Sequence, residues 1–363
     1  MNRYAKEYNA INLSQGFPDF ETDIKLIQLV EKAMRSGYNQ YAPMAGVFEL
    51  REQIAKKIEQ LYGVNYNPDS EITVTVGATQ AIFTTISTFI NKGDEVLIFK
   101  PAYDCYEPAI GLHGGKPVFV QLKAPEYTVD WLEVKNKITS KTKMIIVNTP
   151  HNPSGFIWSR NDMLALENLV KSTDIVVLSD EVYEHIIFDG LEHQSACLFP
   201  FLKERTFIVG SFGKTFHNTG WKMGYCVAPS ELMNEFRKVH QFNVFCANHP
   251  MQIAFSEYLK EESNYKKLPH FYKAKRDLFL DGIKDSKFKC IPSKGTYFQL
   301  LDYSELSQEN DVDFVKSLVQ DYKIAAIPIS VFNTDNFDQK MIRLCFAKKN
   351  ETLARAANIL TKL

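Results

Sequence analysis

Three polar side chains stand just past short apolar runs of this chain, Asn152, Asp180 and Lys214, and a fourth, Arg343, sits inside one. Lys214 follows the run Phe207–Gly210 within Ser211-Phe212-Gly213-Lys214-Thr215. An amine at a strand exit is well placed, because open α/β sheets build their sites beyond the carboxyl ends of their strands; alone, it reads equally as a surface lysine. Asp180 opens Asp180-Glu181-Val182-Tyr183 after the run Asp174–Ser179. A carboxylate buried there needs a cation, which a protonated pyridine ring would supply, or it is simply a helix N-cap. Asn152 lies between two prolines in Thr149-Pro150-His151-Asn152-Pro153-Ser154-Gly155. That rigidity suits an amide aimed at a ligand, and equally an ordinary Asx turn. Arg343 sits in the alternating segment Met341–Phe346. Its planar fork matches a carboxylate through two parallel hydrogen bonds, whether that belongs to a ligand or to a salt bridge. Val76-Gly77-Ala78-Thr79 joins a strand to a helix and leaves backbone N–H groups and a hydroxyl at a positive helix end, an anion site or a plain tight turn.

These groups must be held by the elements around them. From about residue 70 to 230, β-rich runs alternate with helical patterns: Ile72–Val76, Glu95–Phe99, Pro117–Gln121, Met144–Asn148, Asp174–Ser179, Phe207–Gly210 and Met223–Ala228. The alternation predicts an α/β domain with a mostly parallel sheet, and the uniformly apolar runs predict strands covered on both faces. Ile82, Ile86 and Ile90 recur at helical spacing, so a helix should start just after Gly77. Beyond about residue 265 the texture becomes α+β, with strands expected around Thr296–Leu301, Ala325–Ile327 and Met341–Phe346. A second, smaller domain should therefore begin near Leu268–Phe271.

The chain has 363 residues, 45% of them apolar and 23% charged, a formal net charge of -1 and a pI of about 6.7. Length and composition predict a large domain with a smaller companion and no unfolded tract, while the near-neutral charge disfavours nucleic acid and anionic lipid as partners. The apolar runs are far shorter than a bilayer span, and Met1–Ala10 lacks a secretory signal's apolar stretch, so the expectation is a cytoplasmic protein without a membrane partner. Six scattered cysteines with no C-x-x-C pair predict reduced thiols and no zinc site. Gly213-Lys214-Thr215 is not the end of a P-loop, because position 208 is Ile rather than Gly, and no two glycines are spaced for a dinucleotide fingerprint. His151, His185 and His217 lack metal-pair spacing and read as structural or as supports for groups that touch a ligand.

Taken together, these stretches resemble class I/II aminotransferases of fold type I, from about Ile11 to the end of the chain. Asn152, Asp180, Lys214 and Arg343 occur in that family's order, within its N-P-x-G, D-E-x-Y, S-x-x-K and R-x-x-F contexts. The resemblance implies a pyridoxal 5'-phosphate enzyme in which Lys214 forms the Schiff base, Asp180 pairs with the ring nitrogen, and Tyr183 and Asn152 bond the ring's phenolic oxygen. It implies that Tyr103 stacks on the ring and that Ala78, Thr79, Ser211 and Lys222 hold the phosphate. Many relatives have arginine where this chain has Lys222, so the contact here keeps its charge and loses its fork. The resemblance further implies that Tyr41 reaches the phosphate of a neighbouring subunit, making the active unit a homodimer, although only ten residues precede Ile11 and the embracing N-terminal arm is short. The implied organisation is an N-terminal segment 1–30 contributing to the small domain and substrate site, a large cofactor-binding domain 31–267 and a small domain 268–363.

Ser14-Gln15-Gly16-Phe17-Pro18-Asp19 and Asn39-Gln40-Tyr41-Ala42-Pro43 are most similar to the subgroup acting on methionine, aromatic amino acids, glutamine and kynurenine. Gly16 would then face the substrate carboxylate, with Arg343 and Asn152, and Phe17 would line the side-chain pocket. No arginine occurs between Arg237 and Arg276, where aspartate-specific relatives supply a second one, which argues for an apolar amino acid such as methionine. The expected reaction is ping-pong transfer of the amino group to a 2-oxo acid, with Lys214 as general base. Two other readings are a β-lyase acting on cysteine conjugates or cystathionine with the same cofactor, and a non-catalytic ligand-binding regulator. The second is disfavoured because Lys214 and Asp180 are both retained and the chain has neither the spare length nor the basic bias expected of a DNA-binding helix-turn-helix.

Overall fold

The structure is a computed structural model that describes residues 1–363. Its strands in chain order are β1 (Ile11–Asn12), β2 (Ile72–Thr75), β3 (Glu95–Lys100), β4 (Lys116–Gln121), β5 (Thr142–Asn148), β6 (Val176–Asp180), β7 (Thr206–Ser211), β8 (Gly224–Val227), β9 (Phe298–Asp302), β10 (Ile324–Ala325), β11 (Ile327–Pro328) and β12 (Met341–Cys345). Seven of them form one sheet in the order β2-β8-β7-β6-β5-β3-β4. All its pairings are parallel except those of β8, which runs antiparallel to both β2 and β7. Helices cover both faces, so β2, β7 and β8 are buried at every position, as continuous apolar runs require.

The expected strands are all present, with ends displaced by a residue or two. One displacement matters: β6 spans Val176–Asp180, so Asp180 is the last residue of the strand rather than the first beyond it. The helix expected after Gly77 runs over Gly77–Phe89. Past residue 268 a long helix, Leu268–Ile283, leads to an antiparallel sheet ordered β11-β12-β9. The single strand expected around Ala325–Ile327 is divided into β10, which pairs in parallel with β1, and β11, which pairs with β12. The N-terminal segment is thereby stitched to the C-terminal part of the chain. The short helix Asn2–Glu7 adds to this seam, where Ala5 packs with Val319 and Ala325.

Ninety buried residues form a single hydrophobic core that runs from Leu13 to Leu360 and includes side chains of both sheets. At about 25 cal/mol per Å² of buried apolar surface, so continuous a core fixes the two sheets against each other. The polar strand ends that meet in the seam between them are therefore held by rigid elements.

Candidate active site

Strands β5, β6 and β7 lie side by side and run in the same direction, so their carboxyl ends open on one edge of the sheet. There a cavity of roughly 70 Å³ is lined by Ala78, Thr79, Ile82, Tyr103, Asn148, Asn152, Asp180, Val182, Tyr183 and Lys214. Six residues assigned to the cofactor from sequence thus share one cavity with Lys214.

Lys214 lies in the single turn Phe212–Thr215, capped by Ser211, whose hydroxyl accepts from the Lys214 backbone N–H at 3.4 Å. Its Nζ approaches no carboxylate. The amine donates to the Gly16 carbonyl at 3.3 Å and stands 5.7 Å from the ring centres of both Tyr183 and Tyr297. Burial pushes its pKa from 10.5 down to about 8, with Cys345 and Asp180 opposing that fall and Arg343 adding to it. Asp180 is buried, and desolvation lifts it from 3.8 to about 6, opposed by the hydrogen bond from Tyr106, the Val182 amide and the charge of Lys214. Its Oδ2 accepts from the Tyr106 hydroxyl at 2.5 Å and its Oδ1 from the Val182 N–H at 3.3 Å. The chain turns immediately after Asp180 without entering a helix, so the N-cap explanation does not hold.

Asn152 is not the Asx turn its setting allowed. The local turn is made by Asn148, whose Oδ1 accepts from the Asn152 N–H at 2.8 Å and whose amide donates to the Asp180 carbonyl at 2.9 Å. The Asn152 side chain is thereby free to reach across the seam, where its Oδ1 accepts from Arg343 Nη1 at 2.7 Å. Arg343 Nη2 donates to the Ser14 carbonyl at 3.3 Å, and its guanidinium lies 4.0 Å from the Phe298 ring centre. Arg343 is 7% exposed, forms no salt bridge, and its Nε has no partner. A desolvated guanidinium with a spare donor and no carboxylate is a receptor for one.

At the other end of the cavity, helix Gly77–Phe89 starts with no side-chain cap and no acidic residue in its first turn. Gly77 adopts φ +74°, and the position of a Cβ there would come within 3.4 Å of Lys222 Nζ. The uncapped start of the helix and the Lys222 ammonium are therefore neighbours, an arrangement that suits an anion. Tyr103 stands beside Thr79, and burial raises its phenol to about 12.

Ser211 and Lys222, expected at the phosphate, do not line this cavity, nor do Phe17 and Tyr41, the latter expected at a neighbouring subunit's site. Tyr41 is 82% exposed, packs edge-on against Phe245, and does not line this cavity. Phe17, expected at the substrate side chain, is 41% exposed with Lys348 4.9 Å above its ring. Its neighbour Gly16 is close to the site: its carbonyl accepts from both Lys214 and the Tyr297 hydroxyl, the latter at 2.6 Å, and a Cβ there would meet Phe298 at 2.7 Å.

Sequence reasoning missed Tyr106, Ser14, Tyr297, Phe298 and Lys348. Buried Lys348 donates to the Phe17 carbonyl at 2.8 Å and the Gln15 carbonyl at 3.5 Å, so all four carbonyls of Ser14–Phe17 face cations or a phenol. Only the apolar-to-polar break at Ala347-Lys348 hinted at this. The histidines are structural as expected: His151 joins Ser154 to the Pro101 carbonyl, and His217 contacts the Tyr272 hydroxyl at 2.9 Å. His185 lies beside the buried Lys57–Glu184 ion pair that underpins the Asp180–Tyr183 turn. All six cysteines are free; Cys197, Cys226 and Cys345 are buried, and Cys290 is exposed. No helix is long and apolar enough to cross a membrane.

The residues present fit pyridoxal phosphate: an uncapped helix end with an ammonium for the phosphate, a buried carboxylate for the ring nitrogen, and a buried amine without a carboxylate partner between them.

Comparison with known proteins agrees. A methionine aminotransferase of Escherichia coli (strain K12) is 48% identical over 364 residues, which cover 100% of this chain and 94% of that protein. A crystal structure from Escherichia coli, reported as identifying a methionine aminotransferase function, superimposes with a TM-score of 0.98 at 47% identity over 100% of this chain and 96% of that one. Human kynurenine–oxoglutarate transaminase 1 is 33% identical over 97% of this chain and 92% of its own length. N-succinyldiaminopimelate aminotransferase from Mycobacterium tuberculosis superimposes with a TM-score of 0.96 at 34% identity, covering 100% and 95% of the two chains. The family model for aminotransferase class I and II matches residues 8–360, and with the geometry above it places this chain in that family of pyridoxal-phosphate-dependent, fold type I enzymes.

Proposed function

We propose that this enzyme moves the amino group of an apolar or aromatic amino acid, methionine foremost, to a 2-oxo acid. The observation that carries the reading is Arg343, a buried guanidinium with one donor unused and no acid beside it, bonded to Asn152 at the rim of the cavity that holds Lys214 and Asp180. A substrate α-carboxylate completes it.

Pyridoxal phosphate, when bound, supplies the electron sink that lets an amino acid's Cα–H bond ionise. Lys214 would hold it through Nζ, Asp180 would face its ring nitrogen, and Tyr183 and Asn152 its phenolic oxygen. Tyr103 would pack on its ring, with Ala78, Thr79, Ser211 and Lys222 around the phosphate. Arg343 and Asn152 fix the substrate carboxylate, which orients the breaking bond toward Lys214. Lys214 Nζ takes the α-proton; an amine held near 8 has a usable neutral fraction at neutral pH, as a general base requires. The Gly16 carbonyl, 3.3 Å away, steadies the amine between proton transfers.

Several observations support an apolar side chain. Phe298 and Phe332 pack on Arg343, and Tyr297 stands beside Lys214. Arg237 and Arg276, which flank the arginine-free stretch, are committed to Thr73 and the Ile72 carbonyl and to Asp189, respectively. The relatives named for methionine and kynurenine point the same way.

The same reading divides the chain into a segment 1–30 joined to the small domain, supported by the β1–β10 pairing, a large domain 31–267 and a small domain 268–363. It makes the protein a cytoplasmic homodimer, supported by the exposure of Tyr41 away from its own cavity.

Single half-reactions followed by cofactor absorbance test the assignment. Methionine and aromatic amino acids should react at least about tenfold faster than aspartate, a difference of one well-matched polar contact. Faster reaction of aspartate would overturn the substrate class, and pyruvate with ammonia released from cysteine conjugates would favour β-elimination.

A further inference from the structure

Asp180 is the one acidic side chain lining the cavity. Its backbone contact, from the Val182 N–H to Oδ1, is long at 3.3 Å, and Lys214 Nζ is directed to Gly16 instead. The remaining polar partner of the carboxylate is the Tyr106 hydroxyl, which donates to Oδ2 at 2.5 Å. Tyr106 opens helix Tyr106–Leu112 and is 2% exposed. Its ring stands edge-on to Tyr103, centroids 5.7 Å apart at 78°. One side chain therefore touches both the carboxylate and the aromatic wall of the cavity. Packing alone does not call for a hydroxyl there, because phenylalanine would fill the same space without burying an O–H. Burial and the charge of Asp180 hold the phenol well above its ordinary range, so its proton stays on oxygen and the group donates.

We propose that Tyr106 is a positioning residue for the cofactor's ring nitrogen, acting through Asp180 by fixing Oδ2. This rests on the assignment of Asp180 under the proposed function. A charge-assisted bond to a desolvated carboxylate is among the stronger kinds, and its loss leaves the carboxylate held by one long backbone contact. Asp180 would then meet the ring less often in its charged, aligned form.

The test is equilibrium binding to the cofactor-free protein of two probes, pyridoxal phosphate and its deaza analogue, in which C–H replaces the ring nitrogen. Tyr106→Phe should weaken pyridoxal phosphate about tenfold, as expected for one hydrogen bond to a charge, and change the deaza analogue less than about twofold. Equal loss for both probes would show a packing role and overturn the proposal; so would no loss for either. Should Tyr106→Phe fold poorly, 4-fluorophenylalanine at position 106 fills the hydroxyl's space without donating, and the same pair of results decides. Asp180→Asn separates the role of Asp180 from that of Tyr106. If it fails to abolish the wild-type preference for pyridoxal phosphate over the analogue, the assignment of Asp180 falls and this proposal falls with it; if it abolishes the preference while Tyr106→Phe leaves the preference unchanged, only the proposal falls.

Discussion

Arg343 Nη1 donates to Asn152 Oδ1 at 2.7 Å across the seam between the two sheets, joining β12 of the antiparallel sheet to the turn after β5 of the large one. The two residues are separated by 191 positions in sequence. Both would serve the same substrate carboxylate, so each is held ready by the other until that carboxylate arrives.

Replacing Arg343 with Lys keeps the charge and loses the fork. kcat/KM for methionine should fall about a hundredfold, most of it in KM, because one of two parallel charged hydrogen bonds is lost along with the planar guanidinium that lies over Phe298. Steady-state kinetics at saturating 2-oxo acid checks this.

Lys348 clasps the loop Ser14–Phe17 from beneath, through the carbonyls of Gln15 and Phe17. Lys348→Met should loosen that loop and with it the carbonyls facing Arg343 and Lys214, raising KM by roughly tenfold while the protein stays folded. Kinetics together with thermal denaturation of the variant separates this from global destabilisation.

How much of this site is legible in sequence depends on the kind of contact. Asn152, Asp180 and Lys214 are polar residues that follow apolar runs, and such breaks mark strand ends, while Arg343 interrupts the alternation of a strand. Their partners leave no such mark. Tyr106 is 74 positions from Asp180, Ser14 is 329 from Arg343 and Lys348 is 331 from Phe17, so only the folded topology brings them together. Strand direction was hidden too: β8 is as fully buried as the parallel β7, and burial pattern alone cannot show that it runs the other way. At Asn152 the turn-like setting left two readings open, and only the fold decides between them, because neighbouring Asn148 makes the turn.

The buried amine makes the cofactor-free protein's stability depend on pH. Lys214 titrates at about 8 in the folded chain against 10.5 ordinarily, so the unfolded chain binds more protons between those values and stability rises with pH across that window. The cost of the buried charge is fully present below pH 8. Lys214→Met removes it, and should stabilise the cofactor-free protein at pH 7 by up to roughly 3 kcal/mol, a gain that shrinks toward pH 10. Urea unfolding at the two pH values measures the difference.

Tyr41 is exposed in its own subunit and should complete the neighbour's phosphate site. Tyr41→Ala and Lys214→Ala homodimers should both be defective. Mixing them by reversible unfolding should recover activity, because a hybrid dimer holds one site with both residues intact. No recovery from hybrids isolated by affinity tags would place Tyr41 outside the neighbouring site.

The central claim is that Lys214 and Asp180 address one bound ring, and borohydride reduction of the coloured holoenzyme followed by peptide mass mapping tests it most directly. A single phosphopyridoxyl adduct on the peptide containing Lys214, absent from Lys214→Ala, is the predicted result. An adduct on another lysine, or an unlabelled and colourless protein after incubation with pyridoxal phosphate, would contradict it.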